Sequence, residues 1–228
     1  MQANDLWKLY ASGDSTIEAV KGVNVKVNQG EMIAIMGPSG CGKTTLLNIL
    51  SGIDEPTSGQ VMVDEKSLFS VSDNERSRIR AQYLGFIFQD FNLLPVLSAV
   101  ENVELPLLLL GKSATEARTT ALEALKSVGL GERSEHRPSE LSGGQQQRVA
   151  IARAIVHSPT VILCDEPTGN LDSATSKSVM KLLKTINEKI GTTFLLVTHD
   201  GEVAKQCSRV LRMEDGIIVS DERGQEEE

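Results

Sequence analysis

Residues Gly37-Pro38-Ser39-Gly40-Cys41-Gly42-Lys43-Thr44 fit the pattern G-x-x-x-x-G-K-[ST], and the segments beside them restrict the fold more than any other stretch of the chain. The apolar run Met32-Ile33-Ala34-Ile35-Met36 precedes the pattern, and the helical Leu46-Leu47-Asn48-Ile49-Leu50 follows it. A buried strand that turns through glycines into a helix N-terminus aims backbone N–H groups at phosphate oxygens. In that setting Lys43 neutralises β and γ phosphate charge, and the Thr44 hydroxyl is offered to Mg²⁺. The bland alternative is a glycine-rich turn with an incidental lysine, which leaves the flanking strand and helix as coincidence.

Two more short apolar runs, Val161 to Cys164 and Thr193 to Val197, read as central strands of a parallel sheet covered on both faces. Between them Val179, Leu182, Leu183, Ile186 and Ile190 repeat at helical spacing until Gly191, which makes a β-α-β crossover. Alternation in Val23 to Val27 and in Gln60 to Val63 predicts an antiparallel subsheet near the front. From about 95 to 142 strand signals give way to helical ones, with Ala121, Leu122, Leu125 and Val128 on one stripe, so an inserted helical lobe is expected there. The predicted organisation is one α/β domain: a core with its β-subdomain at about 1–94 and 143–220, the helical lobe at about 95–142, and a solvated acidic tail at 221–228.

Composition excludes several classes. The formal charge of −8 disfavours a general nucleic-acid surface. The longest apolar run, Leu105 to Leu110, is broken by Pro106 and falls far short of the roughly 20 residues a membrane helix requires. Met1 to Tyr10 shows no basic start followed by an apolar stretch, so no secretory signal is expected. Cys41, Cys164 and Cys207 lie far apart without a C-x-x-C, which suits a reducing cytosol. Cys41 itself reads either as a reactive thiol beside the phosphates or as a small filler. His136 and His157 read as surface residues.

Asp165-Glu166 follow their apolar strand at once, at the carboxyl end where ligands collect in open α/β sheets. Either they cap the next turn, or Asp165 holds Mg²⁺ while Glu166 orients or deprotonates the attacking water. Leu141-Ser142-Gly143-Gly144-Gln145 stands at the start of a further amphipathic helix, as a plain capped N-terminus or as a second anion site. Taken with Gly37 to Thr45, these motifs resemble the nucleotide-binding subunit of ATP-binding cassette (ABC) transporters. The family's other landmarks stand in order: Tyr10 in the place of the adenine-stacking aromatic, Gln89 of the Q-loop, Asn170-Leu171-Asp172 of the D-loop, and His199 as the switch histidine. The stretch Phe88 to Pro95 with Glu101 to Pro106 is similar to the branch that holds lipoprotein-release, macrolide-export and cell-division ATPases.

The resemblance implies a P-loop NTPase core of ABC type with an antiparallel β-subdomain and a helical subdomain, using ATP and Mg²⁺. The nucleotide would be bound by Tyr10, Gly37, Pro38, Ser39, Gly40, Cys41, Gly42, Lys43, Thr44 and Thr45. Mg²⁺ would be held by Thr44, Gln89 and Asp165, and hydrolysis carried by Glu166, His199 and Gln89. Leu141, Ser142, Gly143, Gly144, Gln145 and Asp172 would face the nucleotide of a second copy in a head-to-tail homodimer. The family setting further implies a separate integral membrane permease, a place on the cytoplasmic face of the membrane, no nucleic-acid partner, and work in export or lipoprotein extraction. The alternative within the branch is an ATPase that regulates a membrane complex without transport. A soluble ABC ATPase acting on DNA or ribosomes is disfavoured by the acidic balance, and a P-loop kinase leaves Leu141 to Gln145 without a purpose.

Overall fold

A computed structural model of the chain describes residues 1–13 and 15–223. In chain order the elements are β1 (Gln2–Ser12), β2 (Ser15–Lys26), β3 (Met32–Met36), α1 (Lys43–Leu50), β4 (Ser58–Val63), β5 (Lys66–Ser67), α2 (Asp73–Tyr83) and β6 (Leu84–Ile87). Then come α3 (Ala99–Leu109), α4 (Ala114–Ser127), α5 (Gly143–Ile155), β7 (Val161–Asp165), α6 (Ser173–Ile190), β8 (Thr193–Val197), α7 (Gly201–Ala204), β9 (Arg209–Glu214) and β10 (Ile217–Arg223). The chain forms two compact units, Met1–Arg80 with Thr193–Glu228, and Ala81–Thr192.

In the first unit β2, β1, β4 and β5 pair antiparallel in that order, the subsheet that the alternating residues predicted. Beside it β3 runs parallel to both β8 and β9, and β10 closes back antiparallel on β9. Ile33, Ala34 and Ile35 of β3 and Phe194, Leu195 and Leu196 of β8 are fully buried, as strands covered on both faces must be. Three residues expected in a solvated tail, Asp221, Glu222 and Arg223, instead continue β10. Asp221 takes two hydrogen bonds from the buried Arg209 guanidinium at 2.7 Å each, and a bidentate pair of this kind fixes the strand's end. The rest of that run, 224–228, lies outside the described residues.

In the second unit β6 and β7 pair in parallel, with Ile87 opposite Cys164. Helices α3 and α4 lie in the stretch from about 95 to 142 where helical signals stand in the sequence, and α3, α4 and α5 pack on one another. The α4 stripe buries Ala117, Ala121 and Leu125, with Val128 following; Leu122 is half-buried. Asp172 caps α6, which runs to Gly191 in the left-handed conformation (φ 69°). Its buried stripe is Val179, Met180, Leu183 and Ile186, while Ile190 stands 62% exposed.

His157, expected on the surface, is half-buried in this unit. Its Nε2 lies 3.1 Å from the Leu84 carbonyl, which can only accept, so Nε2 carries the proton. Nδ1 is buried without a hydrogen-bond partner. Burial therefore lowers the imidazole pKa below its ordinary 6.5, against the opposing pull of the Leu84 carbonyl. The unfolded chain then binds the proton more readily than the folded one, so stability is kept above about pH 6.5 and falls as pH drops through that value. Urea midpoints should decline between pH 7.5 and pH 5.5 in the wild type, and more shallowly in His157→Gln. Equal slopes in the two proteins would show that another group carries the pH dependence.

Candidate functional site

The phosphate loop lies in the first unit. Gly42 is the N-cap of α1 with φ 104°, a left-handed conformation natural to glycine, and a Cβ there would strike the Ala19 carbonyl oxygen. No side chain caps the helix, so its N-terminus is built for an anion rather than closed by a neighbour. Pro38, Ser39, Gly40 and Thr44 are exposed, and Thr45 is half-buried. Lys43 is only 8% exposed: its stem runs back under the loop, and Nζ donates to the Gly37 and Pro38 carbonyls at 2.8 Å each. Cys41 is buried against this lysine, with Sγ 3.9 Å from Nζ, and its carbonyl accepts from the Gly216 N–H at 3.0 Å. That placement favours the small-filler reading of Cys41.

Strand register explains how residues far apart in sequence share one edge. Ile35 of β3 pairs with Val197 of β8, so Gly37 and His199 leave the sheet the same number of residues beyond a matched pair. His199 is exposed there, and Asp200 behind it caps the short α7 through its bond from the Glu202 N–H at 2.8 Å. The second unit repeats the device. Ile87 pairs with Cys164, so Gln89 and Glu166 each stand two residues beyond a matched pair, with Asp165 as the last residue of β7.

Glu166 adopts φ 46°, sparsely populated for a residue with a side chain, and the turn it starts is closed by the Gly169 N–H on the Glu166 carbonyl at 3.0 Å. Asn170 holds the Gln89 segment. It accepts from Gln89 Nε2 at 3.1 Å, and its own amide donates to the Gln89 carbonyl at 3.2 Å and to Asp90 at 2.7 Å. Beyond Gln89 the chain turns through Phe91 and Asn92, both at positive φ, and the Arg153 guanidinium on α5 donates to both of their carbonyls. Fully buried Asn102 on α3 ties down the next residues, donating to the Leu94, Leu97 and Ser98 carbonyls and accepting from the Leu94 N–H. Gln147 on α5 donates to the Pro167 carbonyl, just past Glu166.

At the start of α5, Ser142 and Gln145 form a reciprocal capping box, so the plain capped helix is present as the sequence allowed. Gly144 lies against the Thr175 side chain, where a larger residue would collide, and so the N-termini of α5 and α6 approach closely. Thr175 donates from its hydroxyl to Asp172 at 2.5 Å, and this bond holds the exposed Asp172 carboxylate below its usual range. Leu141 is buried behind Ser142. Tyr10, on β1 opposite Ile17, is 39% exposed and is thus no core aromatic.

Thr44, Gln89 and Asp165 offer hydroxyl, amide and carboxylate oxygens, the donor chemistry that Mg²⁺ takes. Among the described residues no group of three or more His, Cys, Asp and Glu side chains could hold a metal alone.

Of these features, the ones most easily overlooked in the sequence are Arg153, Gln147 and Asn102. Arg153 and Gln147 are polar side chains whose partner carbonyls stand far away in the chain, so no local spacing marks them. For Asn102 the only visible signal is a polar residue on the apolar stripe of Val100, Val103 and Leu107.

A parallel strand that delivers a glycine-rich loop and a lysine to a helix N-terminus defines a P-loop nucleoside triphosphatase. The ABC transporter family model matches residues 20–169. The lipoprotein-releasing system ATP-binding protein LolD of Alcanivorax borkumensis is 47% identical over 218 residues, covering 96% of each chain. An ABC transporter ATP-binding protein of Methanocaldococcus jannaschii, MJ0796, is 47% identical over 227 residues, covering 98% of this chain and 97% of its own. A solved dimer of the ATP-binding cassette MJ0796, in a post-hydrolysis state bound to ADP and Pi, superposes with a TM-score of 0.90 at 44% identity over 99% of each chain. The chain belongs to the ABC transporter family and is an ATP-binding, ATP-hydrolysing cassette of the branch that includes lipoprotein release.

Proposed function

We propose that this cassette drives a membrane complex for export or for extraction of a lipoprotein or lipid, with the transport path in a separate integral membrane permease. The observation that carries the reading is the near end-to-end likeness to a lipoprotein-releasing ATP-binding protein. Among the described residues no helix is long and apolar enough to cross a membrane, and the charge of −8 opposes adsorption to anionic lipid. A protein partner on the cytoplasmic face then supplies the attachment.

In the proposed cycle the loop N–H groups and Lys43 hold the β and γ phosphates, and Tyr10 stacks the adenine. Thr44, Gln89 and Asp165 would hold Mg²⁺, which when bound neutralises charge developing on the phosphate oxygens. Glu166 takes the proton of the attacking water, and His199 donates toward the γ-phosphate. Two copies meet head to tail, a reading supported by the dimeric structure of the MJ0796 cassette. Leu141, Ser142, Gly143, Gly144, Gln145 and Asp172 of one then face the nucleotide of the other. ATP closes this dimer and hydrolysis reopens it, and the Gln89 segment passes the motion to the permease.

The test is purification of the tagged chain from membranes in mild detergent. The expected product is a stoichiometric complex with an integral membrane protein, and protein-free liposomes at physiological salt should not retain the cassette. Tight binding to bare liposomes, or co-purification with nucleic acid in place of a membrane protein, would overturn the proposal.

A further inference from the structure

Tyr10 does not stand alone on its strand. Its hydroxyl donates to Asp54 Oδ2 at 2.6 Å, and the Thr45 hydroxyl also bonds it. Lys8 Nζ sits over the Tyr10 ring, 4.9 Å from the centroid, and is itself fixed by Asp54 Oδ1 at 2.6 Å and the Glu55 carbonyl at 2.6 Å. Three side chains and one carbonyl thus close a loop: the carboxylate grips the phenol by one oxygen and the ammonium by the other, and the ammonium lies on the ring. Nothing in the proposed cycle uses Lys8 or Asp54.

Such an arrangement fits a platform that must be held before its ligand arrives. A tyrosine on an exposed edge has two free torsions, and freezing them at the moment of binding would take affinity from the base it stacks. The ring here is anchored at its far end. The ammonium covers one face at cation–π distance, so a base is left the other face. Burial, and then the bond to Asp54, raise the pKa of the Tyr10 hydroxyl and keep it a donor. Burial works against the Asp54 carboxylate, but the bonds from Lys8 and Tyr10 outweigh it and hold the group ionised below its usual range.

We infer that Lys8 and Asp54 are positioning residues for recognition of the nucleotide base, acting through the Tyr10 ring. The inference rests on the proposed stacking role of Tyr10. It predicts a loss specific to ligands that carry a base, whereas a merely structural tie between β1 and the segment after α1 would weaken every ligand of the phosphate loop alike.

The experiment is calorimetric titration of the full chain with ADP and, separately, with inorganic pyrophosphate, thermal midpoints being recorded for each variant. Tyr10→Ala should weaken ADP roughly fivefold to 150-fold, the range of one base–aromatic stack, and leave pyrophosphate unchanged. Asp54→Ala and Lys8→Met should each weaken ADP roughly threefold to tenfold, again sparing pyrophosphate, and Lys8→Arg should recover most of the loss because a cation returns to the ring. Asp54→Ala added to Tyr10→Ala should cost nothing more. Should Asp54→Ala fold poorly, Tyr10→Phe removes the same bond with the ring in place and should show a loss of the same kind. Equal weakening of ADP and pyrophosphate, or no weakening in Asp54→Ala, Lys8→Met and Tyr10→Phe beside a clear loss in Tyr10→Ala, overturns the inference and spares the stacking role. An unaffected Tyr10→Ala overturns the stacking role itself, and this inference with it.

Discussion

Glu166→Gln should bind ATP as tightly as the wild type and yet turn it over at least about a hundredfold more slowly, the low end of what a positioned general base contributes. Both side chains have the same length and shape, so the substitution removes the proton acceptor and little else. The backbone at Glu166 sits at φ 46°, and Gln meets the same strain there, so the comparison is not confounded by relief of the turn. The Gly169 N–H to residue 166 carbonyl bond uses main-chain atoms and survives. If binding closes a head-to-tail dimer and hydrolysis reopens it, the variant accumulates in the closed state. Size-exclusion chromatography with ATP should then show a dimer that the wild type holds poorly, and single-turnover assays should show bound ATP persisting. Hydrolysis at the normal rate would remove Glu166 from the role of base. A loss of ATP affinity equal to the loss of rate would place its effect in binding instead.

What the sequence makes legible here follows from how local the physics is. Met32 to Met36, Val161 to Cys164 and Thr193 to Val197 are strands because an unbroken apolar run of five or so residues must be covered on both faces, and the structure covers them. The phosphate loop is legible for the same reason: strand, glycine turn and helix start are contiguous. By contrast β6 is four residues with Gly85 among them, and α2 buries Ile79 alone, so neither carries enough periodicity to be read. The β9–β10 hairpin is hidden differently. Arg209, Glu214 and Asp221 give it the charge of a surface segment, and Arg209 and Asp221 neutralise each other only once the strands have paired. The burial of His157 is hidden too, because a histidine that follows a helix looks solvated until the β6 carbonyl that it meets is known. The same holds for the scaffold behind Gln89. Arg153 acts on backbone groups that tertiary structure alone brings near, and its residue type is unremarkable in a helix.

Lys43→Ala should all but abolish nucleotide binding, and the folded loop indicates why the loss exceeds that of an ordinary surface charge. A hydrogen bond from a charged group contributes about 1.5–3 kcal/mol, so two such bonds to phosphate lost together correspond to at least about a hundredfold in affinity. Without ligand, the same ammonium donates to the Gly37 and Pro38 carbonyls and is almost wholly covered. It is therefore already stripped of much of its water and held at the mouth of the loop, and phosphate oxygens meet a charge whose desolvation is largely complete. Alanine removes the charge and also leaves two inward carbonyls lining a site for anions, where their negative ends repel phosphate. Lys43→Met separates the two effects, since it keeps the stem that packs beside Cys41 while deleting the cation. Both variants should keep the wild-type thermal midpoint within a few degrees, and both should lose ATP to a similar extent in calorimetry. Lys43→Arg should recover only part of the affinity, because a planar fork cannot reproduce a compact ammonium that reaches two carbonyls and phosphate from one atom. Wild-type affinity in Lys43→Met would mean that the loop's N–H groups and the α1 N-terminus hold the phosphates unaided, and the assignment of Lys43 would fall.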